Sequence, residues 1–257
     1  MKKFFIFLLL FLLCSCNQKH SIDQDPFLDQ LNKYPHDQTK IDEYIAIYEQ
    51  TNNLIYAINK VNHPTFLIPN HTKTNAINKE GILLVNTNYY LDQTYLPNNL
   101  VLPLDVDYIK KDNPITLSKE AYAAYLELYN HAKQLNYHLT IFSGYRSYEY
   151  QDTLYQNNKN GFVAKPGASE HQSGYAIDIS LRTTGLTSHF DNTNEAKFLF
   201  TNAHLYGFIL RYPQDKTDIT GYPYESWHYR YVGKDVAKII YENNLTLEEY
   251  FYYYILL

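Results

Sequence analysis

The sequence predicts an α+β fold in which helices flank a central antiparallel sheet, with a short helical segment before it. Short stretches such as His138–Phe142 and Tyr175–Ser180 alternate apolar and polar residues, which is typical of strands. Stretches with apolar residues at helical spacing lie between them. Strands and helices do not alternate regularly, which disfavours a parallel α/β sheet. The 257 residues, 45% of them hydrophobic, suffice for one sizeable core with a smaller appendage.

The N-terminus predicts a bacterial lipoprotein. Lys2 and Lys3 precede an apolar run over Phe4–Leu13, which is too short to span a bilayer core that needs about 20 residues. The following sequence Leu-Cys-Ser-Cys resembles a lipobox. We therefore expect residues 1–15 to be a signal peptide, Cys16 to be acylated, and the protein to be lipid-anchored on the extracytoplasmic face of the cell membrane. An ordinary cleaved signal peptide is the alternative.

Cysteine usage and charge exclude several classes of site and partner. Both cysteines, Cys14 and Cys16, lie at the N-terminus, so the remaining chain offers no disulfide, thiolate metal site or cysteine nucleophile. Removal of residues 1–15 takes away two lysines and no acid, which changes the net charge from −5 to −7. A chain this acidic is a poor nucleic-acid binder. We expect no nucleic-acid partner and a monomeric protein.

Composition divides the rest of the chain into three segments. Residues 16–39 are polar and are predicted to form a tether. Residues 40–80 are predicted to be a small helical segment, with two helices that separate near Asn52. Residues 81–257 are predicted to form the main domain.

The elements of the main domain follow from caps and periodicity. Ser118, Ser147 and Thr246 precede helical patterns as N-caps, and Thr246 with Glu249 forms a capping box. The predicted order is strand 82–85, helix from 118, strand 138–142, helix 147–157, strand 175–180, helix 193–206, strands 208–212 and 226–232, helix 234–242, and a last helix from 246.

Three sequence motifs carry the candidate chemistry. They are Ser-Gly-Tyr-Arg-Ser ending at Ser147, Ser-Glu-His-Gln-Ser-Gly-Tyr-Ala-Ile-Asp ending at Asp178, and Glu-Ser-Trp-His-Tyr-Arg-Tyr ending at Tyr231. His171, Asp178 and His228 would supply two imidazoles and one carboxylate, which leaves one position of a tetrahedral catalytic zinc site open. Each residue alone could instead be an ordinary hydrogen-bonded or surface side chain.

Glu225 is the candidate general base of such a site. It lies three residues before His228, and in a regular strand the two side chains would point to opposite faces. If both residues serve one site, the backbone must turn or bulge at Ser226–Trp227.

The three motifs, in this order and at these separations, resemble those of the VanY-type zinc D-alanyl-D-alanine carboxypeptidases. The resemblance covers residues 81–243 approximately. It implies a hedgehog/DD-peptidase-like fold and a Zn²⁺ ion held by His171, Asp178 and His228. It further implies that Glu225 is the catalytic base.

The same resemblance makes Arg146, Gln151 and Ser169 substrate contacts. The Arg146 guanidinium could bind a terminal carboxylate or a developing oxyanion, and the sequence does not choose between them. The implied activity is removal of the terminal D-Ala from peptidoglycan stem peptides. The alternatives are an L,D-carboxypeptidase acting on tetrapeptide stems, a D-Ala-D-Ala dipeptidase, or a cell-wall binding lipoprotein without activity.

Overall fold

The computed structural model describes residues 26–62, 74–79, 81–110, 114–158 and 163–255. The chain divides into two compact units, Met1–Asn62 and His63–Leu257. The predicted signal peptide and Cys16 lie outside the described residues. No helix among the described residues is long and apolar enough to cross a membrane.

The first unit consists of three helices: α1 (Pro26–Leu31), α2 (Ile41–Thr51) and α3 (Leu54–Asn62). Helix α2 ends at Asn52, which takes a left-handed conformation with φ of 49°, so the predicted break between two helices is present. Helix α1 lies where a tether over residues 16–39 was predicted. It folds because Leu31 packs with Tyr44 and Val61, a tertiary contact that the polar local composition conceals.

The second unit contains ten strands and six helices among the described residues. The strands are β1 (Thr74–Asn75), β2 (Ile77–Lys79), β3 (Ile82–Leu84), β4 (Tyr89–Tyr90), β5 (Leu100–Val101), β6 (Leu117–Ser118), β7 (Thr140–Ser143), β8 (Ala176–Ser180), β9 (Phe208–Leu210) and β10 (His228–Tyr231). The helices are α4 (Lys119–Gln134), α5 (Tyr148–Asn157), α6 (Asn194–Asn202), α7 (Thr217–Thr220), α8 (Lys234–Glu242) and α9 (Leu247–Tyr250). The chain also forms several short 3-10 turns and a π-helical turn over Phe251–Ile255.

The central sheet has four antiparallel strands in the order β7-β8-β10-β9. Its apolar face packs on α4 and α6 through a continuous core. The core includes Ile141, Ile177, Ile179, Tyr229, Phe208, Tyr125, Leu128, Phe198 and Leu199. The α+β class with a central antiparallel sheet is thereby confirmed.

Strand β8 is buried on both faces, and the two faces differ in polarity. Ile177 and Ile179 enter the apolar core. Asp178, between them, points to the opposite face because successive side chains of a strand alternate. The sheet therefore carries its hydrophobic core on one side and a buried polar residue on the other.

Local signals placed most helix starts correctly. Ser118 and Ser147 cap α4 and α5 by accepting backbone N–H bonds, and Thr246 with Glu249 forms the predicted capping box. The segment predicted to be helical over residues 40–80 differs: residues 74–79 form β1 and β2. These strands exist because β2 pairs with β3 and β1 with β4, pairings that local periodicity does not reveal.

Candidate active site

Two of the predicted ligands are neighbours across the central sheet. In the antiparallel pairing of β8 and β10, His228 lies directly opposite Asp178. Their side chains share one face, and Nδ1 of His228 lies 3.0 Å from Oδ1 of Asp178. Strand pairing alone thus brings together two residues that are fifty positions apart in the sequence.

His171 reaches the same point from a 3-10 turn over Glu170–Ser173 that precedes β8. Gly174 closes this turn with φ of 77°, a conformation that glycine adopts without cost. The Nδ1–H of His171 donates to the carbonyl oxygen of Gly144 at 2.7 Å. Nε2 is therefore the nitrogen left for a metal, and it lies 3.3 Å from Oδ2 of Asp178.

These three side chains form a group that fits a metal ion. One ligand atom from each lies within 4.8 Å of the others, and each residue is buried. Burial and the nearby Arg146 guanidinium lower the pKa of His171 to about 4, so its imidazole is neutral and able to ligate. Burial alone would raise the pKa of Asp178, but the adjacent imidazoles and Arg146 hold it well below its usual range. Two imidazole nitrogens and one carboxylate oxygen are a donor set that suits zinc.

Glu225 lies beside this group, on a turn and not on a strand. The backbone N–H of His228 donates to the carbonyl oxygen of Glu225 at 3.2 Å, which closes a turn over Ser226–Trp227 before β10 begins. This is the predicted distortion, and it brings Oε2 of Glu225 to 3.9 Å from Nδ1 of His228. Burial raises the pKa of Glu225 to about 7, against the opposing effect of His228. A carboxyl group with such a pKa can exchange protons near neutral pH.

Arg146 also contacts the candidate metal ligands. Its Nη2 donates to Oδ2 of Asp178 at 2.8 Å, and its Nε donates to the hydroxyl of Ser143 at 2.9 Å. Oε1 of Gln151 accepts from Nη1 at 3.4 Å. A cleft of about 310 Å³ is lined by Arg146, Glu225 and the three candidate ligands.

The predicted substrate contacts differ in their access to this cleft. Arg146 and Ser169 line it. Gln151 lies behind Arg146, only 1% exposed, and its amide N–H donates to the carbonyl oxygen of Ala164. In this structure Gln151 therefore holds Arg146 and the chain at Ala164, and it does not itself face the cleft.

Sequence reasoning missed two residues that touch His228. The ring of Tyr212 stacks on the His228 imidazole, with centroids 4.8 Å apart. The buried Glu170 carboxylate lies near the other edge of that imidazole, with Oε2 at 3.7 Å from Nε2. Glu170 stands inside the second motif, directly before His171, but nothing in the local pattern separates it from a surface glutamate.

Comparisons with known proteins agree with this site. The fold and the His-Asp-His group define a zinc metallo-carboxypeptidase. A profile described as "VanY: D-alanyl-D-alanine carboxypeptidase" matches residues 114–234. The protein YodJ of Bacillus subtilis is 45% identical over 186 residues, which are 68% of this chain and 68% of YodJ. The chain belongs to the VanY D-alanyl-D-alanine carboxypeptidase family.

Two solved structures resemble the chain closely enough to confirm the expected DD-peptidase-like fold. The LdcB LD-carboxypeptidase superposes with a TM-score of 0.63 at 39% identity, over 71% of this chain and 97% of LdcB. A mutant of the D,D-pentapeptidase VanY from a VanB-type resistance cassette, in complex with Zn(II), superposes with a TM-score of 0.52. It is 32% identical and covers 65% of this chain and 96% of VanY. The predicted Zn²⁺ site at His171, Asp178 and His228 is thereby confirmed.

Zinc binding should strengthen as the pH rises from 6 to 8. Burial would lower the pKa of His228, but the hydrogen bond to Asp178 and the nearby acids raise it to about 9. Below that pH the metal must displace a proton, so affinity should rise about tenfold per pH unit for each proton released. Competition with a chromophoric chelator at several pH values measures this slope. Replacement of the exposed His189 by Gln should leave the slope unchanged, whereas a pH-independent affinity of the unaltered protein would contradict the assignment.

Proposed function

We propose that the protein is a zinc D-alanyl-D-alanine carboxypeptidase that removes the terminal D-Ala from peptidoglycan stem peptides. The observation that carries this proposal is the position of Glu225 beside the His-Asp-His group, with its pKa raised to about 7, at the edge of an open cleft. A protein that only bound the cell wall would not need a base at this place. Membership of the VanY family supports the choice of substrate.

Glu225 is the residue that moves the proton. Its carboxylate takes a proton from the attacking water and returns it to the nitrogen of the leaving D-Ala, which departs as a neutral amine. Zinc, when bound, polarises the scissile carbonyl and acidifies water. The raised pKa of Glu225 suits both steps, since the group must accept and release the same proton within one turnover.

Arg146 is proposed to stabilise the oxyanion. Its guanidinium contacts Asp178 at 2.8 Å, which places the positive charge at the ligand group itself. A preorganised positive charge at this place favours the negative charge that develops on the carbonyl oxygen during attack. The hydrogen bonds from Arg146 to Ser143 and Gln151 fix the guanidinium in that position. The terminal carboxylate of the substrate would then bind elsewhere in the cleft, where Ser169 offers a hydroxyl.

An L,D-carboxypeptidase is the second candidate. The similarity to LdcB, with a TM-score of 0.63, is higher than that to the D,D-pentapeptidase VanY, with 0.52. Both activities release a terminal D-Ala and would use the same base and metal ligands. They differ in the configuration of the residue before the scissile bond. Only assays with substrates of each configuration can therefore distinguish the two activities.

The N-terminal sequence supports a lipid anchor at Cys16 and a location outside the cell membrane. Such an anchor would hold the catalytic unit next to the cell wall, where stem peptides are found. A dipeptidase that depletes free D-Ala-D-Ala would act in the cytoplasm, so the signal sequence favours a carboxypeptidase.

A panel of three substrates tests the specificity. The purified protein is incubated with a pentapeptide stem ending in D-Ala-D-Ala, a tetrapeptide stem ending in one D-Ala, and free D-Ala-D-Ala, and released D-Ala is quantified by mass spectrometry. We expect kcat/KM for the pentapeptide to exceed that for either other substrate by about tenfold or more. A preference for the tetrapeptide would replace this proposal by the L,D-carboxypeptidase.

Replacement of Glu225 tests the mechanism. Glu225→Gln keeps the shape of the side chain but cannot accept a proton, so kcat should fall about 10²- to 10⁴-fold. Metal analysis should still find one zinc per chain, because Glu225 is not a ligand. The exposed Glu242 provides a control, and Glu242→Gln should retain normal turnover. Normal turnover in the Glu225 variant would refute its role as the base.

The two cysteines test the lipid anchor. Cys16→Ser should abolish incorporation of a labelled fatty acid and release the protein from the membrane fraction, because the thiol at the predicted acylation position is lost. Cys14→Ser is the matched control, since Cys14 leaves with the predicted signal peptide, and it should stay labelled and anchored. Equal behaviour of the two variants would contradict acylation at Cys16.

A further inference from the structure

Four ionised side chains are buried together behind the metal site. This buried ion cluster consists of Glu170, Arg211, Arg230 and Glu248, each at most 6% exposed. Oε1 of Glu170 accepts from Nε of Arg211 at 2.8 Å and from Nη1 of Arg230 at 2.9 Å. Glu248, from helix α9, accepts from the other two nitrogens of Arg211. Charges this deeply buried persist only because each has an opposite partner.

The second carboxylate oxygen of Glu170, Oε2, does not take part in the ion pairs of this cluster. Among the described residues, Oε2 of Glu170 and Nε2 of His228 are both buried and have no hydrogen-bond partner. The two atoms lie 3.7 Å apart. This separation exceeds a normal N–H···O bond by about 0.5–1 Å, which a small rotation of either side chain closes. The N–H of His228 and the carboxylate oxygen of Glu170 are thus a buried donor and a buried acceptor that can form a hydrogen bond with each other.

The orientation of His228 explains why this contact matters. Its Nδ1 faces Asp178 and Glu225, so Nδ1 is the nitrogen presented to a metal. A neutral imidazole that ligates through Nδ1 must carry its proton on Nε2, and a buried N–H needs an acceptor. His171 shows the complementary arrangement, since its Nδ1–H is held by the Gly144 carbonyl and its Nε2 faces Asp178.

We propose that Glu170 is a positioning residue that accepts the Nε2–H of His228 and thereby fixes the imidazole tautomer that binds zinc through Nδ1. This inference rests on the zinc site and is independent of the substrate. Arg211 and Arg230 hold Oε1 of Glu170 and so leave only Oε2 for the histidine. The buried ion cluster then acts as a support for a metal ligand, as hydrogen-bonded acceptors commonly do for histidines in metal sites.

Glu170→Gln is the most direct test, because the arginines dictate how the new amide must lie. Arg211 and Arg230 only donate, so the amide oxygen must face them and the amide NH₂ must face Nε2 of His228. That contact makes Nε2 an acceptor and moves the imidazole proton to Nδ1, the wrong tautomer for the metal. We expect zinc affinity, measured by chelator competition, to fall about 10- to 100-fold.

Glu248→Gln is the matched control, because it makes the same change of charge in the same cluster without facing His228. Both variants should lower the melting temperature of the metal-free protein, but Glu248→Gln should keep its zinc affinity within about threefold of the unaltered protein. An unchanged zinc affinity in Glu170→Gln, or an equal loss in both variants, would overturn the proposal.

A measurement on the unaltered, zinc-loaded protein decides the matter even if Glu170→Gln does not fold. Long-range ¹H–¹⁵N correlation spectra distinguish imidazoles protonated on Nδ1 from those protonated on Nε2. The two histidines whose signals change on zinc binding should show opposite tautomers, with the proton on Nδ1 in His171 and on Nε2 in His228. The same tautomer in both would exclude Glu170 as the acceptor. Neither readout involves a substrate, so a failure here is separate from a failure of the proposed activity.

Discussion

The pairing of strands β8 and β10 is the constraint on which the site depends. It sets His228 directly opposite Asp178, and both side chains emerge on the face away from the hydrophobic core. A shift of the register by one residue would turn every side chain of one strand to the other face. Either Ile177 and Ile179 of β8 or Tyr229 of β10 would then leave the core, which makes such a shift costly. The apolar side of the sheet therefore holds the catalytic side in register, and stability and function are properties of the same pairing.

The polar side of the sheet is stable because its charges are matched. Asp178 is contacted by Arg146 and both histidines, while Glu170 is held by Arg211 and Arg230. Burial raises the pKa of Glu225 more than the nearby His228 and Arg146 lower it, whereas the pKa values of Asp178 and Glu170 are lowered although burial alone would raise them. The buried carboxyl groups of Asp178 and Glu170 are thus held as anions, whereas the partly exposed Glu225 has a pKa of about 7. Of the three, Glu225 is therefore the group that can exchange a proton near neutral pH.

Local features of the sequence were sufficient for much of this arrangement. The helix caps at Ser118 and Ser147 involve residues within a few positions of each other, and so does the turn at Ser226–Trp227. Capping motifs and the alternation of side chains along a strand are therefore enough to predict them. The role of Glu170 depends on Arg211 and Arg230, which lie 41 and 60 residues further along the chain. Helix α1 similarly depends on contacts of Leu31 with distant residues. Interactions of this kind arise only when the chain has folded, and no local pattern encodes them.

The three metal ligands are more deeply buried than Arg146 and Glu225, which line the cleft beside them. The side chains of His171, Asp178 and His228 are only 3–4% exposed, whereas those of Arg146 and Glu225 are each 19% exposed. The covered ligands keep a fixed geometry because their partners are backbone groups, strand neighbours and the buried ion cluster. Arg146 and Glu225 both line the cleft beside these ligands, so the cleft presents a positive charge and a titratable carboxyl group next to the candidate metal site. The pairing of β8 with β10 and the turn at Ser226–Trp227 together bring these groups into one cleft.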